Sequence, residues 1–274
     1  MIQSAPILIR RLLIRPGAIG DFIVSLPALA ALRTDYTEVW CKREIVPLAR
    51  FADRAVALAD AGIDRLGLLN DEDVADRLRL FDSIISWYGS GNPDFRRKAA
   101  ELNLPIHFLP TLPSQGAHAV DFYNAQAREY DARPESRFPV IECPPIPRSI
   151  AAIHPFASGP RKQAPLAVFE SIADRLKATM PVEWVRGPED VFTSSRFAGF
   201  RCFDSLYELA CWLSGARVFV GNDSGISHLA AAVGTPSLVV FSVADQRIWA
   251  PRGPSIDPVR LKLSETFDQR EAFE

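Results

Sequence analysis

The segment that most constrains the fold, residues 217–241, places a polar loop and a small-residue helix between two apolar runs. Residues 217–220 and 237–241 are rich in Val, Phe and Leu, which is typical of buried strands. Between them come Asn-Asp-Ser-Gly at 222–225, an alanine-rich stretch, and Gly-Thr-Pro at 234–236. This order predicts a strand, a tight loop, a helix and a second strand, the unit from which α/β sheets are built.

The loop at the start of that helix carries groups that suit a phosphate. Asp223, Ser224 and Gly225 are predicted to lie at the helix N-terminus, where free backbone N–H groups and the positive end of the helix dipole meet. Ser224 can cap the helix, and Gly225 can let a ligand approach the backbone closely. Asn-Asp-Ser-Gly is also good turn chemistry, so the loop alone leaves a purely structural role open.

Length and composition bound the class of protein. A chain of 274 residues with 48% hydrophobic residues can build two ordinary α/β domains. Its net charge of −2 argues against nucleic-acid binding through broad electrostatics. The four cysteines are scattered, which favours free thiols in a reducing compartment over disulfides or a zinc site. Since no signal peptide or apolar run of membrane-spanning length is visible, we expect a cytoplasmic protein, with peripheral contact to the inner membrane surface left open.

The rest of the chain repeats the alternation of strands and helices. An apolar run at 7–14 precedes a glycine-containing loop and an amphipathic helix at 21–33. Another helix is expected at 44–51, and the alternation continues to residue 130. Five prolines fall within 131–149, so this stretch is predicted to be an irregular interdomain linker. The alternation then begins again, which predicts a mainly parallel, doubly wound architecture in each half.

We therefore predict an α/β protein with two Rossmann-like domains, residues 1–145 and 146–274. Two such domains leave a cleft between the carboxyl ends of their sheets, where ligands bind in folds of this kind.

Four residues outside the opening segment are candidates for chemistry at this cleft. Asp21 lies near the start of the first helix, where it is either a cap or a general base that points into the cleft. In the loop 154–162, Ser158 and Lys162 suit a phosphate as donor and point charge, although Arg-Lys pairs are more often solvated. Glu189 follows the predicted strand 182–186 and could accept hydrogen bonds from ribose hydroxyls or only favour a helix start.

Two motifs taken together resemble glycosyltransferase family 9, the ADP-heptose:lipopolysaccharide heptosyltransferases and their relatives. The first runs from Arg-Pro-Gly-Ala-Ile-Gly-Asp at 15–21 into Phe-Ile-Val-Ser-Leu-Pro-Ala-Leu. The second is Gly-Asn-Asp-Ser-Gly-Ile-Ser-His-Leu-Ala-Ala-Ala-Val-Gly-Thr-Pro at 221–236, and residues 241–253 are similar to the family's closing motif. Residues 39–147 carry no family signature, and Ala164 stands where the family usually has an aromatic residue.

The resemblance implies a GT-B fold, with the acceptor in the first domain and the nucleotide sugar in the second. It implies an inverting, metal-independent transfer of a heptose from ADP-heptose to a lipopolysaccharide-core sugar or another glycan or glycolipid, with no cofactor besides the donor. By position, Asp21 matches the catalytic base and Arg15 an acceptor-side basic residue. The implied donor-binding residues are Ser158, Lys162, Asp223, Ser224, Gly225 and His228. Glu189 is a further donor-binding candidate because of its position after the predicted strand 182–186.

Two other functions remain open from the sequence. One is a non-catalytic nucleotide-sugar-binding protein on a shortened GT-B frame, because a fold does not guarantee an activity. The retained carboxylate at Asp21 favours the enzyme over this alternative. The other is a nucleotide-sugar epimerase of related fold, which would need further acid and base residues in the cleft that the sequence does not offer beyond Asp21.

Overall fold

The computed structural model describes residues 8–66, 72–113, 116–187, 190, 199–254 and the backbone of 259–262. Two five-stranded parallel sheets organise the chain, one in each half. The segment 129–149 between them contains neither helix nor strand, as its prolines predict. The exact domain boundary at 145/146 stays a prediction.

Within the described residues, the first half contains five strands and five α-helices, with strand order β3-β2-β1-β4-β5. They are β1 (Arg10–Ile14), α1 (Ile19–Ala31), β2 (Tyr36–Cys41), β3 (Arg54–Ala57), α2 (Leu58–Ala61), α3 (Glu72–Leu78), β4 (Ser83–Ser86), α4 (Pro93–Glu101), β5 (Ile106–Phe108) and α5 (Ala119–Arg128). Short 3₁₀ helices at Arg43–Leu48 and Ile63–Arg65 complete this half.

The second half repeats the plan with strand order β10-β9-β8-β6-β7. Its elements are β6 (Ile150–His154), α6 (Leu166–Lys177), β7 (Val182–Trp184), α7 (Leu206–Ser214), β8 (Ala216–Asn222), α8 (Gly225–Ala232), β9 (Ser237–Phe241), α9 (Gln246–Trp249) and β10 (Val259–Lys262), with a 3₁₀ turn at Pro160–Lys162. The strand–loop–helix–strand unit predicted at 217–241 is therefore confirmed as β8, α8 and β9.

Buried apolar side chains cover both faces of each sheet, which is why the strands read as continuous apolar runs instead of alternating ones. In β1, Leu12 packs in the core cluster on one face of the first sheet and Leu13 in the cluster on the other. The cluster that contains Leu13 continues into the second half through Phe219 and Leu229. The two halves thus share one hydrophobic core on the side where α1 and α8 lie.

The N-termini of α1 and α8 touch at the boundary between the halves. A Cβ atom added to Gly225 would lie 2.7 Å from Cβ of Ile19 and 3.2 Å from the backbone nitrogen of Gly20. A Cβ added to Gly20 would lie 3.1 Å from Cδ2 of His228. Glycine at these positions lets the two helices approach more closely than side chains would allow. Both helix N-termini are therefore held at one place between the sheets.

Two differences between the sequence prediction and the structure in the first half have a clear physical cause. The expected helix at 44–51 is a 3₁₀ helix over Arg43–Leu48, which contains Pro47. Proline has no N–H to donate and disfavours a continued α-helix. Strand β5 was not predicted because Ile106–Phe108 has only three residues, too short for a periodic pattern.

Candidate active site

Each sheet reverses its strand order at one point, and the candidate residues lie at these two points. In the first sheet the reversal falls between β1 and β4, which are paired from Arg11 with Ser83 to Ile14 with Ser86. In the second sheet it falls between β6 and β8, where His154 pairs with Gly221. Crevices at such reversals are where open α/β sheets bind their ligands. The predicted site residues other than Glu189 lie in the loops after β1, β6 and β8 or in the first turn of the helices α1 and α8 that follow β1 and β8.

Asp21 is the third residue of α1, not its cap. Its Oδ2 accepts a hydrogen bond of 3.0 Å from the backbone N–H of Ala18, the N-cap residue. Gly17 next to it has a φ of +116°, and a Cβ there would lie 3.0 Å from Oδ2 of Asp21. The loop after β1 therefore needs glycine at 17 and fixes the carboxylate at the helix start. One hydrogen bond anchors this carboxylate while it remains half-buried at the mouth of the site.

Arg15 is buried, with 2% of its surface exposed. Its guanidinium donates to Oγ of Ser25 at 3.1 Å, to the carbonyl of Pro16 at 3.0 Å and to the carbonyl of Asp21 at 2.7 Å. The same group lies 4.6 Å from the centre of the Tyr123 ring, a cation–π contact. Burial lowers the pKa of Arg15, and Tyr123 and Asp21 act in the opposite direction. A side chain held in this way supports the Asp21 backbone, and the predicted acceptor-side role of Arg15 stays a prediction.

The prediction of a helix N-terminus at 223–225 is confirmed, but the roles of two residues differ from expectation. Ser224 occupies the N-cap position without making a side-chain cap hydrogen bond. Its Oγ is shielded from solvent and has no hydrogen-bond partner within the described part of the chain. Gly225 is needed for the contact with α1, because an added Cβ would lie 2.7 Å from Cβ of Ile19, and its part in donor binding stays a prediction. The unpartnered Ser224 hydroxyl is therefore the group in this loop that still needs a ligand.

Lys162 and Asp223 form the charged part of the same site. The Lys162 Nζ lies 3.7 Å from Oδ2 of Asp223, and the lysine side chain keeps 40% of its surface exposed. Burial raises the pKa of Asp223, and the positive charge of Lys162 lowers it. This arrangement holds an exposed cation beside the start of α8, where the backbone dipole is also positive. Both features favour an anionic ligand.

Asn222 connects the loop after β6 to the loop after β8, a role that was not predicted from the sequence. Its Oδ1 accepts a hydrogen bond of 3.0 Å from the backbone N–H of Ala164, and its Nδ2 donates to the carbonyl of Pro155 at 2.6 Å. The residue is fully buried at the end of β8. It thereby fixes the loop that carries Lys162 against the loop that carries Ser224. The sequence shows an Asn at the end of an apolar strand, which hints at a special role. Its contacts with Ala164 and Pro155, 58 and 67 positions away, are visible only in the folded structure.

His228 is the fourth residue of α8, and 5% of its surface is exposed. Burial, together with the nearby His118 and the charge of Lys162, lowers its pKa from 6.5 to about 3. The imidazole is therefore neutral at physiological pH, with one N–H donor and one acceptor nitrogen. His118 was not predicted. Its Nε2 lies 2.9 Å from the carbonyl of Ala250, which ties the closing segment of the chain to α5.

The described part of the structure gives no contact to the site for two further residues that were predicted to bind the donor, Ser158 and Glu189. Ser158 is exposed in the loop before Lys162, and no hydrogen bond joins these two side chains within the described residues. Glu189 lies outside the residues that the structure describes. Its neighbour Asp190 receives a hydrogen bond from Gly187 and pairs with the buried His154 at 2.7 Å, which attaches this loop to β6. The roles of Ser158 and Glu189 stay predictions.

Comparison with known proteins agrees with this arrangement. Residues 114–273 match the model of glycosyltransferase family 9 (heptosyltransferase). The chain belongs to glycosyltransferase family 9. No curated protein matches its sequence. The family assigned from the two motifs is therefore confirmed, and the protein is a glycosyltransferase.

Solved structures of this family share the architecture. A glycosyl transferase family 9 protein from Veillonella parvula superposes with a TM-score of 0.70 at 16% identity, covering 93% of this chain and 86% of its own. E. coli heptosyltransferase WaaC with ADP gives 0.69 at 15% identity and coverages of 96% and 97%. E. coli ADP-heptose lps heptosyltransferase II gives 0.66 at 16% identity and coverages of 95% and 92%. The predicted GT-B fold is therefore confirmed.

Within the described ranges, no three His, Cys, Asp or Glu side chains cluster as a metal site would require. Over the same ranges, no helix has the length and apolarity needed to cross a bilayer.

Proposed function

We propose that this family 9 glycosyltransferase moves a heptose from ADP-heptose to a lipopolysaccharide-core sugar or another glycan acceptor, with inversion and without a metal. The observation that carries the proposal is the meeting of two helix N-termini. One presents the Asp21 carboxylate, and the other presents Lys162 and the unpartnered Ser224 hydroxyl. The first group suits an acceptor hydroxyl, and the second suits a diphosphate.

The donor half would stabilise the departing nucleotide. In the transfer, a bond forms between the acceptor oxygen and the anomeric carbon as the bond from that carbon to the β-phosphate oxygen breaks. Negative charge then accumulates on ADP. Lys162, the start of α8 and the hydroxyl of Ser224 are preorganised for that charge, the kind of stabilisation that supplies much of an enzyme's rate enhancement.

The acceptor half would supply the base. The proton of the attacking hydroxyl passes to the Asp21 carboxylate on the opposite side from the leaving group, which yields inversion. The Ala18 N–H holds the carboxylate of Asp21, and the Arg15 guanidinium holds its backbone carbonyl. Such fixed geometry matters because misplacement of a reacting group by about 1 Å can cost about 100-fold in rate.

Charge neutralisation by Lys162 and the helix dipole supports a reaction that needs no metal and no cofactor besides the donor. A glycolipid acceptor would place the reaction at the cytoplasmic face of the membrane, as a peripheral contact.

A thermal-shift and calorimetric comparison of ADP, GDP, UDP and ADP-heptose tests the donor half. Because a ligand that binds only the native state stabilises it by RT ln(1 + [L]/Kd), ADP at about 100 times its Kd should stabilise the protein by about 2.7 kcal/mol. ADP and ADP-heptose should give the largest shifts. Equal shifts with all nucleotides, or no shift with any, would contradict the proposed donor.

A further inference from the structure

The segment that follows β9, residues 245–253, belongs to the second half of the chain and is tightly attached there. A Cβ added to Gly253 would overlap the carbonyl group of Ala231, so only glycine lets the segment lie directly on α8. At the other end, the segment comes soon after β9, whose Val240 carbonyl accepts a hydrogen bond of 2.9 Å from the backbone N–H of Asp223. Segment 245–253 is therefore fixed to the helix and the loop that form the donor half of the site.

A buried hydrogen bond joins this segment to the first half. His118 is the N-cap residue of α5, and its Nδ1 accepts a hydrogen bond of 3.2 Å from the backbone N–H of Val120. Because Nδ1 accepts, the proton of the neutral imidazole lies on Nε2, which donates to the carbonyl of Ala250 at 2.9 Å. His118 is 7% exposed, and Ala250 is fully buried. One tautomer thus makes both contacts, one within α5 and one to the second half.

An ion pair on the same helix makes a second connection to segment 245–253. Nη1 of Arg252 lies 2.9 Å from Oδ2 of Asp121, in the first turn of α5. The Asp121 side chain is 53% exposed. Exposed ion pairs contribute little to stability, whereas breaking a buried hydrogen bond leaves a polar group without its partner. The connection between α5 and the second half therefore depends mainly on His118.

The helix that begins after His118 also holds the support of Asp21. Tyr123 lies in the second turn of α5, and the centre of its ring is 4.6 Å from the Arg15 guanidinium. That guanidinium donates to the carbonyl of Asp21 at 2.7 Å. One end of α5 therefore contacts the segment that is fixed to the donor half, and its next turn contacts the side chain that supports the proposed base.

We propose that His118 is a positioning residue of the transfer reaction, and that its bond to Ala250 fixes the direction in which the donor faces Asp21. This inference rests on the proposed function for the roles of the two halves. The contact of Gly225 with Ile19 by itself leaves the halves able to turn about it, and a second contact between different elements resists that rotation. Because misplacement of a reacting group by about 1 Å can cost about 100-fold in rate, a small rotation is enough to slow transfer.

Two substitutions at His118 separate its two contacts. Asparagine places an amide where Nδ1 lies and is a good N-cap residue, but it is too short to reach Ala250. Glutamine places its amide near the position of Nε2 and can still donate to that carbonyl, but it is a poorer N-cap.

Transfer from ADP-heptose to a heptose-deficient lipopolysaccharide measures the effect of each variant. His118→Asn should lower kcat at least about tenfold, whereas His118→Gln should stay within about threefold of the unmodified protein. The calorimetric Kd for ADP should change by no more than about twofold in either variant, since neither removes a group that holds the diphosphate. His107→Asn is the matched control. His107 is exposed on β5, and within the described part of the chain it has no hydrogen bond to segment 245–253.

Circular dichroism and Tm check that all three variants are folded. Unchanged kcat in folded His118→Asn would overturn the proposal, because His118 would then only stabilise the fold. An equal fall of kcat in His118→Gln would also overturn it, because the loss would then follow the helix cap and not the bond to Ala250.

Hydrogen exchange tests the contact without a transfer assay. The backbone N–H groups of Trp249 and Ala250 donate to the carbonyls of Asp245 and Gln246, so they are protected while the segment is held. In His118→Asn they should exchange at least about threefold faster than in His118→Gln. Equal exchange in the two variants would contradict the contact itself. An unmodified protein that transfers no heptose would instead contradict the proposed function.

Discussion

The contact between α1 and α8 can be tested by adding one methyl group at Gly225. The Cβ of Gly225→Ala would lie 2.7 Å from Cβ and 3.1 Å from Cγ2 of Ile19. Because carbon atoms pack at about 3.5–4.0 Å, the two helices must separate by about 1 Å to admit the methyl group. The strain falls on backbone-anchored atoms and not on the end of a flexible side chain, so it cannot be relieved by a rotamer change.

The expected magnitude is the difference between two opposing effects. Overpacking of this kind costs about 1–3 kcal/mol. Replacing glycine also lowers the conformational entropy of the unfolded chain, which stabilises the folded protein by about 0.4–1 kcal/mol. The variant should therefore be less stable by about 1–2 kcal/mol, which corresponds to a fall in Tm of about 2–8 °C for a protein of this size. Transfer should fall further, by about 10–100-fold, because Asp21 and Lys162 lie on opposite sides of the widened contact.

Urea unfolding and calorimetry measure the stability change, with Gly199→Ala as the matched control. Gly199 also lacks a positive φ, and nothing lies within 4 Å of its added Cβ. The control should change the free energy of unfolding by no more than about 0.5 kcal/mol. If Gly225→Ala is as stable as the control, the helices do not meet as described. The proposal that Asp21 at α1 and Lys162 and Ser224 at α8 form one joint transfer site then loses its structural basis.

Three further predictions concern the donor site. Lys162→Met should weaken ADP at least about tenfold by calorimetry, since it removes the cation beside the start of α8; unchanged affinity would remove Lys162 from the site. The folded-state pKa of His228 is lowered to about 3 from 6.5, so its contribution to stability is present above pH 6.5 and is lost as the pH falls toward 3. The free energy of unfolding should fall by up to about 1.4 kcal/mol per pH unit in this range. In unfolding curves of His228→Gln it should fall less steeply with decreasing pH. Finally, transfer should survive EDTA; loss of activity that Mg²⁺ restores would disprove the metal-independent mechanism.

The fold was predictable because its strongest signals are local. Apolar runs marked the central strands of both sheets, and prolines marked the irregular segment 129–149. The three-residue strand Ile106–Phe108 was missed, because its sequence is too short to show a period and its place is set by pairing with β4. The helix expected at 44–51 failed for the opposite reason, since Pro47 overrode a helical pattern.

The candidate site was predictable in its residues but not in their contacts. The motifs located Asp21 and Ser224, yet nothing in the sequence shows that Ile19 occupies the space beside Gly225. Arg15 reads as a surface cation by residue type, whereas its burial depends on Tyr123, more than 100 positions away. The clamp made by Asn222 likewise joins loops that are distant in the chain. Long-range packing of this kind leaves no periodic trace in a single sequence.

The most direct test of the joint transfer site compares the rate of sugar transfer with the affinity for ADP in Asp21→Asn. Asparagine keeps the size of the side chain and can still accept from the Ala18 N–H, but it cannot take a proton at neutral pH. With ADP-heptose and a heptose-deficient lipopolysaccharide as substrates, the transfer rate should fall by about 10²–10⁴-fold. The calorimetric Kd for ADP should stay within about twofold, well inside the tenfold that 1.4 kcal/mol represents. Transfer at the rate of the unmodified protein would contradict the assignment of Asp21 as the base and, with it, the joint site.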